Sequence, residues 1–372
     1  MATNPSPSKR TVRRVAAPRP KTGSSTRKGS VGARAPQLSV AVEPQFIPGA
    51  SLRSQLLAGA LRHTVKPVLG AWGHCPSPLW PAGLLDYAAR FLPPTRGARS
   101  QRVRLDECDA EWTPAAGGGE RAVLYLHGGG FLTCGLNTHR RLASRVAAAV
   151  GAGVLSVDYR MLPRHPIAAA VADGVAGYRW LLDRGYDPNR IVIAGDSAGG
   201  YLTFMTALAA AELGLPRPAA LVALSPLTDL DPAGKLASPG ADHCPLIPRS
   251  VIVALAEIAD RVDRRAVGDL IGRPRSPVDS VLTGLPPVLI QVGSTEMLYP
   301  DAELMAQRLG AAGVPVTLEV WDRQVHVFHA AADLVPEAGR AIARIGEFVR
   351  AATGDPVVSE PGPKAALEPA EA

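Results

Sequence analysis

The sequence predicts an α/β fold: a mostly parallel central sheet with helices on both faces, preceded by a helical cap. Three observations carry this. Short apolar runs such as Ala122–Leu126, Gly153–Val157 and Ile191–Ala194 have almost no polar alternation, which is the pattern of strands buried on both faces. Segments of helical period separate them. The regular alternation of the two is what a parallel sheet with helical crossovers requires.

Taken in order, residues 1–44 are rich in Pro, Ser, Thr, Gly and basic residues. Such a segment cannot bury enough surface to offset its ordering entropy, so a disordered basic tail is expected. It has no apolar core of the kind a secretory signal needs. Ser51 to Leu69 carries apolar residues at helical spacing, with Ser51 as N-cap and Pro67 ending or kinking the helix. Pro81 to Phe91 suggests a second short helix, so 45–100 is read as a helical cap segment. The main α/β domain is expected over 101–352. Its helices are predicted at Asn137–Val150, Ile167–Asp183, Ala198–Leu213, Ala302–Ala312 and Pro336–Ala351. Further strands are predicted at Ala220–Ser225, Val288–Val292 and Val316–Trp321. Residues 353–372 form a Pro/Glu/Ala stretch that reads as a second disordered tail. No internal repeat is visible.

The formal charge of +7 over 372 residues is misleading. Nine basic residues and no acid lie in 1–36, which leaves 31 basic against 33 acidic residues for the rest. A nucleic-acid footprint would place basic residues on a folded face, so no nucleic-acid partner is expected. No apolar stretch is long enough to span a bilayer. Peripheral lipid contact through the basic tail stays open, as does a homodimer. Cys75, Cys108, Cys134 and Cys244 have neither metal-ligand spacing nor a paired framework, so no metal site is expected and reduced thiols in the cytoplasm are.

The strongest local signal is Gly195-Asp196-Ser197-Ala198-Gly199-Gly200, placed between an apolar strand and a helix. A nucleophile elbow needs that context: a sharp turn exposes the serine hydroxyl at a helix N-terminus, and only small neighbours avoid collision. Taken alone, the motif also fits a Gly-rich turn that binds phosphate. Upstream, His127-Gly128-Gly129-Gly130-Phe131 follows the strand Ala122–Leu126. Acyl transfer develops an oxyanion that needs preorganised donors, and consecutive glycines let amides approach it. The amides of Gly129, Gly130 and Ala198 are assigned to that oxyanion hole. His127, Gly128 and Asp196 are read as supporting residues, with His127 ordering the loop rather than acting as a base.

A serine hydroxyl needs a base. His326 follows the strand Val316–Trp321 and precedes the last helix; His329 is its competitor. His165, between Pro163 and Pro166, reads as structural or cap-facing. A carboxylate should hold the imidazole, and Glu296 follows the strand Val288–Val292. Asp301 and Glu303 should already lie in the next helix. The chain order Ser197, Glu296, His326 is that of the α/β-hydrolase fold.

Together these motifs resemble the bacterial hormone-sensitive-lipase-like esterases, which pair an HGGGF-type segment with GDSAGG. Asp158-Tyr159-Arg160-Met161-Leu162-Pro163-Arg164-His165-Pro166 is similar to a D-Y-R-L-A-P-E-H-P-like segment of that family. It departs at Met161, Leu162 and Arg164, where Arg164 stands in place of an acid. Glu296-Met297-Leu298 occupies a slot that is commonly Asp-Pro-Leu. The resemblance covers roughly Arg102 to Ala351. It implies a cofactor-free carboxylic-ester hydrolase acting on small-molecule acyl esters of short to medium chain length. A lipase acting at an interface is the alternative. A non-catalytic ligand-binding protein on the same fold, and an amidase, are weaker ones.

Overall fold

The structure is a computed structural model that describes residues 41–77, 82–91, 100–267 and 275–354. Almost all of the two expected tails, and parts of the expected cap, lie outside the described residues. Contacts divide the chain into Met1–Leu38 and Ser39–Ala372, and the second unit holds every element below.

The strands are β1 (Gln45–Ile47), β2 (Gln101–Arg104), β3 (Asp109–Thr113), β4 (Arg121–Leu126), β5 (Ala152–Asp158), β6 (Ile191–Asp196), β7 (Ala220–Leu224), β8 (Val288–Gly293) and β9 (Val316–Trp321). The helices are α1 (Leu52–His63), α2 (Val65–His74), α3 (Ala82–Ala89), α4 (Leu136–Val150), α5 (Ile167–Asp183), α6 (Ala198–Glu212), α7 (Ala233–Ala237), α8 (Gly240–His243), α9 (Arg249–Val267), α10 (Tyr299–Ala311) and α11 (Pro336–Ala352). The strands form one sheet in the order β1-β9-β8-β7-β6-β4-β5-β3-β2. Pairing is parallel from β1 to β5 along that order and antiparallel at β5–β3 and β3–β2.

Side-chain alternation along each central strand builds two cores. Val123 and Tyr125 of β4 join α4 and α11 through Leu142, Val146, Ile342 and Ile345. Leu124 and Leu126 face the other way, onto α5 and α6, in the core that α10 closes further along the sheet. Every residue of β6, β7 and β8 is buried, which explains why these strands read as mainly apolar runs without polar alternation. The chain passes from β4 to β5 on one side, then crosses to β6 on the other. The carboxyl ends of β4 and β6 therefore flank a topological switch point, where a parallel sheet opens a crevice.

Three differences from the sequence reading have physical causes. The first helical block breaks at Thr64, not at Pro67; Pro67 lies in the first turn of α2, where its missing N–H is not needed. Gln45–Ile47, inside the segment read as helical cap, adds an edge strand beside β9. The 19-residue helix α9, which no periodicity argument had picked out, packs against α2. A Cβ on Gly73 would lie 2.6 Å from the Ser250 carbonyl carbon, so the two backbones approach as closely as glycine permits.

Candidate active site

The elbow after β6 is strained as its sequence requires. Ser197 has φ 55° and ψ −118°, a left-handed φ that a non-glycine residue holds only at a cost of about 1–3 kcal/mol. A Cβ on Gly195 would lie 2.4 Å from the Gly199 carbonyl oxygen, and one on Gly199 would lie 1.9 Å from that of Leu126. Gly200 is equally confined, by Pro226. The turn thus closes against the end of β4, where Leu126 pairs in register with Gly195.

Two loops bring partners to Ser197. His326 Nε2 lies 2.9 Å from Ser197 Oγ, and His326 Nδ1 lies 2.7 Å from Glu296 Oε2. Glu296 is fully buried, and its Oε1 accepts from the Gly293 amide at 2.6 Å and from the Ser225 hydroxyl at 2.7 Å. The Ser225 oxygen also accepts from the Val327 amide at 3.1 Å. The three residues follow β6, β8 and β9. His329 is turned away: its Nε2 meets Gln291 at 2.9 Å, and burial pushes its pKa down to about 3.

The glycine loop after β4 rests on aromatic and acidic supports. His127 Nδ1 lies 2.7 Å from the Gly128 carbonyl, and the ring stacks on Tyr159 with centroids 4.3 Å apart. Burial, helped by neighbouring His139, pushes His127 down to about 4, so the ring is neutral and Nδ1–H donates to Gly128. Asp196 Oδ1 accepts from the Tyr125 hydroxyl at 2.8 Å, and Oδ2 lies 3.2 Å from His139 Nε2. A Cβ on Gly128 would lie 2.2 Å from Asp196 Oδ2, so the two motifs touch through that carboxylate. Burial alone would lower His139, but the Asp196 charge and hydrogen bond raise it above the ordinary histidine value. Burial would raise Asp196, but His139 and Tyr125 draw it below the ordinary carboxylate value.

Ser197, His326, Gly129, Gly130 and Ala198 all line one cavity of about 1480 Å³. A profile of the alpha/beta hydrolase fold matches residues 123–330. The esterase LipU of Mycobacterium tuberculosis is 44% identical over 296 residues, covering 78% of this chain and 99% of its own. The carboxylesterase/phospholipase LipF of the same organism is 39% identical over 320 residues, covering 84% and 85%. A crystal structure of an esterase from the bacterial hormone-sensitive lipase family superposes with a TM-score of 0.71 at 36% identity, covering 82% of this chain and all of that one. The chain belongs to the hormone-sensitive-lipase-like esterases of the α/β-hydrolase family. It is a serine ester hydrolase.

The walls of the esterase cavity come from the sheet's carboxyl end below and from α1, α2 and α9 above. Leu57, Leu61 and Trp72 contribute from the first two helices, and Leu255 and Ile258 from α9. His165 lines the cavity, as a cap-facing residue would. Cys134 lines it too, but burial pushes its thiol up to about 11, so it is protonated and a poor nucleophile. Among the described residues, no cluster of three or more metal-binding side chains occurs, and no helix is long and apolar enough to cross a membrane.

Sequence reasoning missed Ser225 and His139. Ser225 ends an apolar strand at the sheet's carboxyl edge, and that position was the available signal. His139 lies inside a helical period and carries no local signal; only the packing of α4 brings it to Asp196.

Proposed function

We propose that Ser197, His326 and Glu296 act as the nucleophile, base and orienting carboxylate of a carboxylic-ester hydrolase. The observation that carries the proposal is the continuous contact Ser197 Oγ to His326 Nε2 (2.9 Å) and His326 Nδ1 to Glu296 (2.7 Å). With Glu296 accepting Nδ1–H, Nε2 is left as the acceptor for the serine proton. Ser197 attacks the ester carbonyl, and His326 takes the hydroxyl proton and passes it to the leaving alcohol. The amides of Gly129, Gly130 and Ala198 stabilise the oxyanion. Water, deprotonated by His326, then cleaves the acyl-enzyme and releases the acid.

Short- to medium-chain acyl esters are the proposed substrates, and no cofactor enters the steps. The size of the cavity favours a second reading. Small-molecule pockets are typically about 300–1,000 Å³, and this one is larger, with apolar walls from α1, α2 and α9. Longer acyl esters, including lipid at an interface, would suit it.

The test is a chain-length series of p-nitrophenyl esters, with fluorophosphonate labelling of the wild type and of Ser197→Ala. The wild type should label at Ser197 and hydrolyse the esters. Ser197→Ala should lose both, with kcat down by several orders of magnitude. Retained hydrolysis in Ser197→Ala would falsify the assignment. A rate that peaks at long chains, and jumps above substrate solubility, would favour the interfacial reading.

A further inference from the structure

The wall that α9 gives to the cavity changes character along the helix. Val251, Ile252, Leu255 and Ile258 are apolar; one and two turns further on come Arg261 and Arg265, flanking Val262 on the same face. The apolar end lies beside the glycine loop, since a Cβ on Gly130 would be 3.7 Å from Leu255. The basic end meets the loop before α5, because the Ile167 amide donates to Asp263 at 3.2 Å. A third arginine, Arg164, precedes Ile167 by three residues on that loop and lines the same cavity.

Among the described residues these three arginines have no counter-ion. Arg164, Arg261 and Arg265 are exposed, and none makes an ion pair or side-chain hydrogen bond among the described residues. Their neighbours behave otherwise. Arg160 is held by Asp173 at 2.8 Å, and Arg264 by Asp260 at 2.6 Å. Asp263 lies between the two α9 arginines; it is buried, its Oδ1 accepts from the Ile167 amide, its Oδ2 has no partner among the described residues, and neither oxygen pairs with an arginine. Unpaired like charges lining one cleft raise the positive potential in it and favour an anion there. A guanidinium binds carboxylate or phosphate oxygens through paired N–H donors.

We propose that Arg164, Arg261 and Arg265 form an anion subsite, and that the preferred substrates are acyl esters carrying a negatively charged group remote from the scissile bond. The inference rests on the ester-hydrolase reading and names its substrate class. With a rise of 1.5 Å per residue, Arg261 and Arg265 lie about 9 and 15 Å along α9 from Leu255. An apolar spacer of roughly that length would lie along Leu255 and Ile258 and deliver the anion to the arginines. Arg164, the residue that departs from the family's acidic position, is assigned a role by this subsite.

The experiment compares p-nitrophenyl monoesters of dicarboxylic acids of increasing length with neutral alkanoate esters of matched length. Monoacyl glycerophosphate and monoacylglycerol form a second pair, which separates an anion on the acyl side from one on the alcohol side. Substrates are held below their aggregation limit. The wild type should prefer the charged member of at least one pair by about tenfold or more in kcat/KM, mainly through KM. The triple variant Arg164→Gln/Arg261→Gln/Arg265→Gln should lose that preference while hydrolysing neutral esters at the wild-type rate and melting at the wild-type temperature. Equal rates on charged and neutral esters in both pairs, or a preference that survives the triple substitution, would overturn the subsite. Failure of the wild type on every ester, with no fluorophosphonate labelling, would instead overturn the ester-hydrolase reading.

Discussion

At the scale of single residues, the most informative side chain is one that touches no substrate. Ser225 has φ 46°, donates to Glu296 and accepts from the amide of Val327, the residue after His326. One hydroxyl thus ties the proposed orienting carboxylate to the loop that carries the proposed base. Ser225→Ala removes both bonds and leaves a buried carboxylate oxygen with one donor fewer. A stability loss of about 1–3 kcal/mol is expected from the unpaired groups. A drop of about tenfold in kcat is expected from the looser imidazole, equivalent to roughly 1.4 kcal/mol in the barrier. KM should hold. Steady-state kinetics and fluorophosphonate labelling rates check this, and a variant that labels at the wild-type rate would remove Ser225 from the positioning network.

At the scale of elements, the sequence is legible where burial is two-sided and obscure at the edges. β6 and β8 are buried throughout, and their apolar runs marked both strands and the residues that follow them, Ser197 and Glu296. β1, β2 and β3 gave no such signal. Gln101–Arg104 is largely exposed, and Gln45–Ile47 is a strand only because β9 offers it an open edge. Tertiary pairing decides such segments, not local preference. The cap was legible as helix but not in its attachment. Ser51 caps α1 through the Ser54 amide and also gives its own amide and hydroxyl to Glu337 of α11, at 2.7 and 3.0 Å. Leu57 and Leu61 then pack with Trp321, Val325 and Phe328, around the His326 loop. Glu337→Ala should therefore loosen α1 at its first turn. Limited proteolysis should cut faster within 51–63, and KM for neutral esters should rise several-fold with little change in kcat. Unchanged protection of that segment would show that apolar packing alone holds the helix.

At the scale of the whole molecule, stability depends on two histidines that the fold keeps neutral. His127 and His329 are buried, at about 4 and about 3, against about 6.5 for an unperturbed imidazole. The unfolded chain therefore binds protons at these positions below pH 6.5 while the folded chain does not. Stability is complete above pH 6.5 and falls as pH drops from there toward the folded values. Each histidine contributes a slope of about 1.4 kcal/mol per pH unit within its window. His139 does not mask this. Its folded pKa is raised by Asp196, so its contribution is fully present below its unfolded pKa and is lost only as pH rises through the folded value. Urea midpoints measured from pH 7 down to pH 5 should fall steadily. His329→Gln should flatten the slope by about half, because it removes one of the two proton-excluding sites, while leaving His326 and Ser197 in place. Asp158, Asp263 and Asp301, whose pKa values burial raises, act in the opposite direction as pH falls. The decisive comparison is therefore between variants: equal slopes in the wild type and in His329→Gln would mean that the fold does not hold that ring neutral.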